Sequence, residues 1–304
     1  MKTALVINPY SLPKRSGLSR LNPFAKERFE RRLAREIEDI IGDEVTVYLG
    51  AETIDEVPDR VVVYGGDGTV MRVYNRLLEM TGSAPPILLI GGGSGTYWTR
   101  NLGIQMMGRK KRIGLLKDGT VKSFPLIRVE YDGMMSPHDV RYVDSFGLGD
   151  LAAWIHEAET KKGEWGGSKR DTPLERATTI FLSYVLAGAD YIAGVKREYR
   201  ITTDEESATI HGAILPLVGL GIKIYNPKDG FAVQSTPLGP KAHLTTLIEM
   251  AGHVMGLGDE QTLRELEIAT EGIVPMHFNG SPFTYEGKGI RLTYEPDKIR
   301  FFCP

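Results

Sequence analysis

The chain has 304 residues, of which 41% are hydrophobic and 25% are charged, and its formal net charge is −2. This composition is that of an ordinary globular protein, and the length predicts two domains. Because the net charge is close to zero, the chain has no general attraction for nucleic acid, and no nucleic-acid partner is expected. The single cysteine excludes an intramolecular disulfide and favours a reducing, cytoplasmic location.

No export or membrane-spanning segment is predicted. The first apolar run is short and ends at Asn8-Pro9, unlike the core of a signal peptide. The longest apolar stretch covers residues 177–195, but glycine and polar residues interrupt it. A spanning helix needs about 20 predominantly apolar residues. We therefore expect a buried or groove-lining helix in this stretch.

Strands and helices alternate along the first 122 residues. The apolar spacing predicts strands at residues 5–7, 45–49, 61–64 and 87–90, and helices at residues 24–41 and 70–79. This alternation predicts a parallel, doubly wound sheet, whose ligands bind beyond the carboxyl ends of the strands. Residues 50–59 are too few for the usual helix between the second and third strands, so a truncated crossover is expected.

Strand-like runs dominate after residue 123. They are predicted at residues 126–131, 140–146, 199–203, 208–217, 222–225, 231–235, 290–294 and 299–302. Helices are expected over residues 150–159, 174–193 and 239–256. Turn residues separate the strands, which favours a mostly antiparallel second domain. The segment 161–172 is rich in glycine and charge, and it is interpreted as a loop that is either a substrate lid or a simple insertion.

Two predicted strands run directly into glycine-rich segments. Val61–Tyr64 continues as Gly65–Thr69 and then as a helix. Ile87–Ile90 leads into Gly91–Gly95. Glycine lets the backbone approach an anion closely, and the first N–H groups of a helix point toward it, so both segments predict a phosphate site at one sheet edge. The carboxylate of Asp67 would repel phosphate there unless a metal ion or an acceptor hydroxyl engaged it.

The order Gly-Gly-Asp-Gly-Thr at Gly65–Thr69 resembles the signature of the superfamily that joins diacylglycerol kinases, sphingosine-type lipid kinases and NAD kinases. Three other segments resemble the lipid-kinase branch. They are the opening strand with Asn8, Pro9 and Ser11, the segment Gly93–Ile104 that ends in Leu-Gly-Ile, and the closing segment Phe278–Pro304. The resemblance therefore spans the chain, although the middle is weakly covered.

The resemblance implies an α/β fold. It has an N-terminal doubly wound, Rossmann-like nucleotide-binding domain and a C-terminal, mostly antiparallel β-sandwich domain. The ATP-binding domain is expected to cover residues 1–122, with the last strands at about residues 290–304 returning to it. Residues 123–289 are then the β-rich substrate domain.

The activity implied is that of an ATP-dependent kinase that transfers the γ-phosphoryl group of Mg-ATP to a hydroxyl of a lipid such as diacylglycerol or a related alcohol. Asp67 is expected to be the catalytic residue and to hold Mg²⁺, or else to fix the turn by accepting N–H groups. A simple packing role stays open for Asn8 and Ser11. The residues expected to bind the nucleotide are Asn8, Ser11, Gly65, Gly66, Gly68, Thr69, Gly93, Ser94 and Gly95.

The chain departs from the family pattern at two of three expected carboxylates. Pro125 stands where an Asp is expected, and the Asp-Gly-Glu motif reads Asn279-Gly280-Ser281. Thr96-Tyr97 replaces an Asn-Asp pair. Two alternatives therefore stay open, a nucleotide- or lipid-binding pseudokinase without turnover and a kinase for a soluble acceptor such as NAD. The acids that can refill the emptied positions are Asp144, Asp150 and Glu286.

Basic residues concentrate in two segments. One is Arg109–Arg112, and the other is the polar face of the helix over residues 24–41. Each is interpreted as a solvated face. The alternative for Arg109–Arg112 is contact with an anionic headgroup or a nucleotide, and the alternative for the helix is transient contact with a membrane surface. In the helix, interleaved glutamates favour pairing four residues apart. A homodimer is also left open, and the histidines show no spacing typical of a metal site.

Overall fold

A computed structural model describes residues 1–9, 23–92, 97–131, 141–149, 152, 157, 160, 200–203, 210–211, 219–226, 230–236, 260–279 and 281–304. Several predictions concern residues outside these ranges. They are the site residues Ser11, Gly93, Ser94 and Gly95, the candidate acid Asp150, the segment 161–172, the apolar stretch 177–195 and the helices over 174–193 and 239–256. The chain divides into two compact units, residues 1–125 with 296–304, and residues 126–295.

The elements follow in chain order. They are β1 (Thr3–Ile7), α1 (Pro23–Ile41), β2 (Val45–Leu49), a 3₁₀ turn (Ala51–Thr53), β3 (Arg60–Gly65), α2 (Asp67–Thr81), β4 (Ile87–Gly92), α3 (Tyr97–Asn101), α4 (Arg109–Asp118), β5 (Thr120–Tyr131), β6 (Arg141–Val143), β7 (Ser145–Gly149), β8 (Arg200–Thr203), β9 (Ile210–His211), β10 (Gly219–Asn226), β11 (Gly230–Thr236), β12 (Glu260–Leu263), β13 (Glu265–Glu271), β14 (Val274–Phe278), β15 (Ser281–Tyr285) and β16 (Gly289–Cys303).

The first unit contains a parallel sheet in the order β2-β1-β3-β4, and the end of β16 adds to β4. Leu5, Val62 and Leu88 lie at its centre with no exposed surface. Such continuously apolar strands are typical of a parallel sheet that is covered on both faces. The doubly wound sheet predicted from the sequence is thereby confirmed.

Amphipathic helices cover this sheet. α1 buries Leu33 and Ile37, and Phe29 packs edge-on against Tyr64 with ring centroids 5.2 Å apart. α2 ends at Gly82, which adopts a left-handed conformation and donates its N–H to the Leu78 carbonyl. Between β2 and β3 the chain makes only the 3₁₀ turn, as expected for a truncated crossover. α4 was not predicted, because its sequence shows a charge cluster and little apolar periodicity.

The second unit is built from antiparallel strands. One sheet has the order β12-β11-β10-β7-β14-β15. Other pairs are β5 with β6, and β13 with both β8 and the first part of β16. Side chains of both groups share one buried core, formed by Ile127, Val129, Val143, Phe146, Leu148, Leu266, Ile268, Val274, Met276, Phe278, Tyr285, Ile290, Leu292 and Tyr294. The predicted fold class, a doubly wound domain followed by an antiparallel β region, is confirmed.

Three details of this unit differ from the sequence expectation. The strand predicted over residues 140–146 is interrupted at Asp144, which separates β6 from β7. The runs 290–294 and 299–302 form one strand, β16. The strands β12 to β15 were missed, although β13 alternates strictly between exposed and buried residues. Within the described residues, no helix is both long and apolar enough to span a membrane.

Candidate functional site

The carboxyl ends of β1 and β3 mark a switch point in the parallel sheet. From β1 the chain passes through α1 to β2 on one side, and from β3 it passes through α2 to β4 on the other side. Ligands of open α/β sheets bind in the crevice at such a point. Asn8 follows β1, and Gly65–Thr69 ends β3 and begins α2. The first predicted motif therefore lies at the favoured position.

Asn8 connects the end of β1 to the start of α2. Its backbone N–H donates to the Tyr64 carbonyl oxygen at 2.9 Å. Its side-chain Nδ2 donates to Thr69 Oγ1, also at 2.9 Å. Thr69 is only 4% exposed. Its hydroxyl accepts the hydrogen bond from Asn8 and can still donate a hydrogen bond of its own. Asn8 thus fixes the orientation of the Thr69 hydroxyl, a packing role that the sequence left open.

Gly65 and Gly66 shape the entry into α2. A Cβ atom on Gly65 would lie 2.6 Å from Thr69 Oγ1, so a side chain does not fit without a shift. Gly66 is extended, and its carbonyl accepts the N–H groups of Thr69 and Val70 at 2.9 and 3.1 Å. By helix geometry, the N–H groups in the first turn of α2 point toward the N-terminal end of the helix. This turn can hold an anion such as phosphate.

Asp67 joins the two glycine motifs. Its Oδ1 accepts the backbone N–H of Trp98, in the first turn of α3, at 3.3 Å. The Trp98 side chain is 1% exposed and packs on Phe301 and Phe124, with centroids 4.7 and 6.0 Å away. The Trp98 N–H that holds the carboxylate is thus itself fixed by the packing of the Trp98 ring. The hydrogen bond from the Trp98 N–H agrees with the predicted structural role of Asp67 as an acceptor of N–H groups. The catalytic role of Asp67 stays a prediction.

The side chain of Arg112, which the sequence did not assign to the site, lies near the end of β4. Gly91 has a φ of 106°, and the β3–β4 register shifts between Val63 and Tyr64, so a bulge re-aims the strand end. A Cβ on Gly91 would lie 3.3 Å from a terminal nitrogen of Arg112.

Arg112 is held by its own loop. Its guanidinium donates to the carbonyls of Met107 at 2.9 Å and Gln105 at 3.2 Å. Partial burial lowers the pKa of Arg112, but an arginine stays charged at any physiological pH. Only its place in the run Arg109–Arg112 was visible in the sequence.

Within the described ranges of the chain, Asp67 does not belong to a cluster of metal ligands. Among the described residues, no group of three His, Cys, Asp or Glu side chains could hold a metal ion. Mg²⁺ is commonly bound by one or two carboxylates together with substrate phosphates and waters. One carboxylate beside a phosphate-sized turn fits that mode, in which the nucleotide supplies most of the ligands.

In the second unit the altered Asp-Gly-Glu motif contacts one candidate acid. Asn279 has a φ of 52°, and its Oδ1 accepts the backbone N–H of Asp144 at 2.9 Å. Asp144 is 4% exposed. Glu286 is exposed between β15 and β16, and Pro125 is buried within β5. Of the two candidate acids that the structure describes, Asp144 is the one in contact with the altered motif.

A buried histidine lies two residues before Asn279. His277 is 6% exposed and pairs across the sheet with Gly147, where a Cβ would come within 2.1 Å of its Nε2. Burial lowers the pKa of His277 from 6.5 to about 4. The side chain is therefore neutral at physiological pH and belongs to the packing of the unit.

The fold and the glycine turn define an α/β protein with its candidate site at the β1–β3 switch point. Residues 2–129 match the family model of the diacylglycerol kinase catalytic domain. This match confirms the resemblance to diacylglycerol kinases that the motifs of the chain predicted.

Solved structures of low sequence identity share the fold. A diacylglycerol kinase from Bacillus anthracis str. Sterne is 14% identical with a TM-score of 0.59, over 100% of this chain and 97% of that one. A second structure from that organism, named a diacylglycerol kinase only provisionally, is 15% identical with a TM-score of 0.60, over 100% of this chain and 98% of that one. No curated protein sequence matches the chain.

Proposed function

We propose that the protein is an ATP-dependent kinase that transfers the γ-phosphoryl group of Mg-ATP to a hydroxyl of a lipid, such as diacylglycerol or a related alcohol. The observation that carries this proposal is the position of Asp67, held by the Trp98 N–H at the opening of the glycine turn. In the proposal, residues 1–122 bind ATP and residues 123–289 bind the acceptor. The match of residues 2–129 to the diacylglycerol kinase catalytic domain supports the acceptor class.

In this mechanism the chain's own groups bind and orient the nucleotide. The N–H groups of Gly66, Asp67 and Gly68 receive phosphate oxygens, and the Thr69 hydroxyl, oriented by Asn8, donates a further hydrogen bond. The guanidinium of Arg112 adds positive charge near the end of β4. Ser11, Gly93, Ser94 and Gly95 complete the nucleotide contacts in the proposal.

Asp67 acts on the acceptor. Mg²⁺, held by Asp67 and the nucleotide, would neutralise the charge on the phosphates when bound. The Asp67 carboxylate orients the acceptor hydroxyl and takes its proton as the hydroxyl oxygen bonds to the γ-phosphorus. The bond from that phosphorus to the β–γ bridging oxygen breaks, and ADP leaves with the bonding electron pair. General-base assistance of this kind typically contributes about 10²–10⁴-fold in rate. Phosphoryl transfer depends mainly on positioning and charge stabilisation, so a chain with a reduced set of carboxylates can still catalyse it.

The alternative is a nucleotide-binding pseudokinase. Pro125, Asn279 and Ser281, which stand where carboxylates are expected, favour this second candidate. A kinase for a soluble acceptor such as NAD is the third. The three candidates differ in whether the γ-phosphoryl group leaves ATP and in whether it is transferred to a lipid or to a soluble acceptor. One experiment therefore separates them.

The test is phosphoryl transfer from γ-labelled Mg-ATP by the full chain. Acceptors are mixed micelles with diacylglycerol or another long-chain alcohol, and NAD in buffer. Asp67→Asn is the test variant, and Asp118→Asn, at the exposed end of α4, is the matched control. Label in the lipid that is lost only in Asp67→Asn is the expected result. Label in NAD contradicts the lipid acceptor, and no label with retained ATP binding favours the pseudokinase. No binding of ATP or ADP at millimolar concentration rejects the proposal.

A further inference from the structure

A basic groove runs between α1 and α4 in the first unit. Its volume is about 770 Å³, and six cationic and three acidic side chains line it. The cations are Arg28, Arg31, Arg32, Arg35, Arg109 and Lys110. Lys111 extends the row in an adjoining depression. The whole chain has 37 basic and 39 acidic residues, so this concentration of positive charge is local.

Few of these cations are neutralised within the groove. Arg109 pairs with Glu36 at 2.8 Å. Arg31 pairs with Glu27, which is the pairing four residues apart that the sequence predicted. In the part of the chain that the structure describes, the remaining cations form no ion pair. They are Arg28, Arg32, Arg35, Lys110 and Lys111. Repulsion among five clustered cations costs free energy, which an anionic partner would relieve.

Two exposed apolar side chains lie beside the cations. Phe24, at the start of α1, lines the groove and is 74% exposed. Met106, before α4, lines the adjoining depression and is 95% exposed. An apolar side chain makes no favourable contact with a dissolved polyanion, but its transfer from water into the acyl boundary of a bilayer is favourable. Basic residues at the same depth meet the headgroup phosphates.

We propose that the groove between α1 and α4 is the surface by which the protein docks on an anionic phospholipid bilayer. Headgroup phosphates enter the groove, while Phe24 and Met106 insert beside it. The groove is built from α1, α4 and the loop before α4, and none of its cations belongs to the Asp67 turn. Docking therefore does not require phosphoryl transfer, and it can be measured without ATP.

The test is sedimentation of the full chain with vesicles of phosphatidylcholine alone or with 30% phosphatidylglycerol. We expect binding only to the anionic vesicles. The triple variant Arg28→Gln/Arg32→Gln/Arg35→Gln should bind about a hundredfold more weakly, since each cation near such a surface contributes about a factor of five. Lys117→Gln/Lys122→Gln/Arg264→Gln removes the same charge from exposed positions outside the groove and should bind like wild type. Lys110→Gln/Lys111→Gln repeats the test should the triple variant not fold.

Further arms identify the source of attraction. Salt at 0.5 M should weaken binding of the wild type, and Phe24→Ser/Met106→Ser should weaken it further. Equal binding to neutral vesicles, or equal loss in the control variant, overturns the proposal. So does release by 10 mM inorganic phosphate, which would mark a soluble-phosphate site. Tighter binding to a single-stranded RNA, with the same dependence on the three arginines, would identify a nucleic-acid surface instead.

Discussion

The carboxylate of Asp67 accepts the backbone N–H of Trp98 across 3.3 Å, so one acidic side chain ties the first turn of α2 to the first turn of α3. Two properties of that side chain are therefore separable. Its oxygen as a hydrogen-bond acceptor holds the structure, and its charge and basicity serve the proposed chemistry. Asparagine keeps the first property and removes the second.

Asp67→Asn is expected to keep its stability within about 1 kcal/mol, because the amide oxygen can still accept the Trp98 N–H. Phosphoryl transfer should fall by about 10²–10⁴-fold. Asp67→Ala should lose both the hydrogen bond and the activity, and its free energy of unfolding should be lower than that of wild type. Urea unfolding and labelled-ATP assays on the two variants check this. Equal destabilisation in both would mean that the charge, and not the acceptor oxygen, holds α3.

Asn8 and Thr69 should be energetically coupled. Their side chains make a partly buried hydrogen bond of 2.9 Å, which typically contributes about 0.5–1.5 kcal/mol to stability. A double-mutant cycle with Asn8→Ala and Thr69→Val should return a coupling energy in that range. Both single variants should also bind ATP more weakly than wild type. Strictly additive effects would show that the contact carries no free energy.

Gly65→Ala should destabilise the protein by about 1–3 kcal/mol, because its Cβ would overlap buried Thr69 and force a shift. Gly114→Ala is the matched control within α4. Its Cβ would meet nothing within 4 Å, and alanine is favoured over glycine inside a helix by about 0.5–1 kcal/mol. Chemical denaturation should therefore give opposite signs for the two variants. Identical signs would contradict the close packing at the turn.

Acidic pH should destabilise the protein through His277. Burial lowers the pKa of this side chain to about 4, from 6.5, so between these values the unfolded chain binds more protons. The stability that neutral His277 retains above pH 6.5 is then lost as the pH falls toward 4, by at most about 3 kcal/mol.

The measurement for His277 is urea unfolding of wild type and His277→Gln at pH 7.5, 6 and 5. The difference in unfolding free energy between the two proteins should change with pH, because glutamine does not titrate. Parallel stability curves would show that the folded and unfolded forms of His277 have the same pKa.

The parallel half of the fold was predictable from local patterns. β1, β3 and β4 are short apolar runs, and α2 has apolar positions at helical spacing right after the glycines. Gly65–Thr69 was recognisable because its residue order, Gly-Gly-Asp-Gly-Thr, resembles the signature of a known superfamily, whereas glycines after a strand are by themselves a weak signal. In contrast, α4 has a mixed charge pattern and is specified by its packing through Ile113 and Leu116, both buried. Tertiary contacts decided that element.

The contacts within the site were beyond sequence reasoning. Asn8 and Thr69 lie far apart in the chain, and only the β1–β3 adjacency brings them together. The proximity of Asp67 to Trp98, and of Arg112 to Gly91, also depends on tertiary structure that the sequence does not show. The break at Asp144 was also hidden, because Val143 and Phe146 on either side fit a continuous strand. Of the strands β12 to β15, which were not predicted, β13 could have been found from the sequence, because its exposed and buried residues alternate strictly.

The last strand has a consequence for biosynthesis. Phe301 has no exposed surface and pairs with Ile87, so one strand of the first unit's sheet comes from residues that follow the second unit in the chain. A ribosome must translate the whole second unit before that strand emerges from the exit tunnel. Until then the edge of β4 is open to pairing with other chains. The nascent first unit is therefore exposed to aggregation while the second unit is made, and its protection depends on residues 296–304.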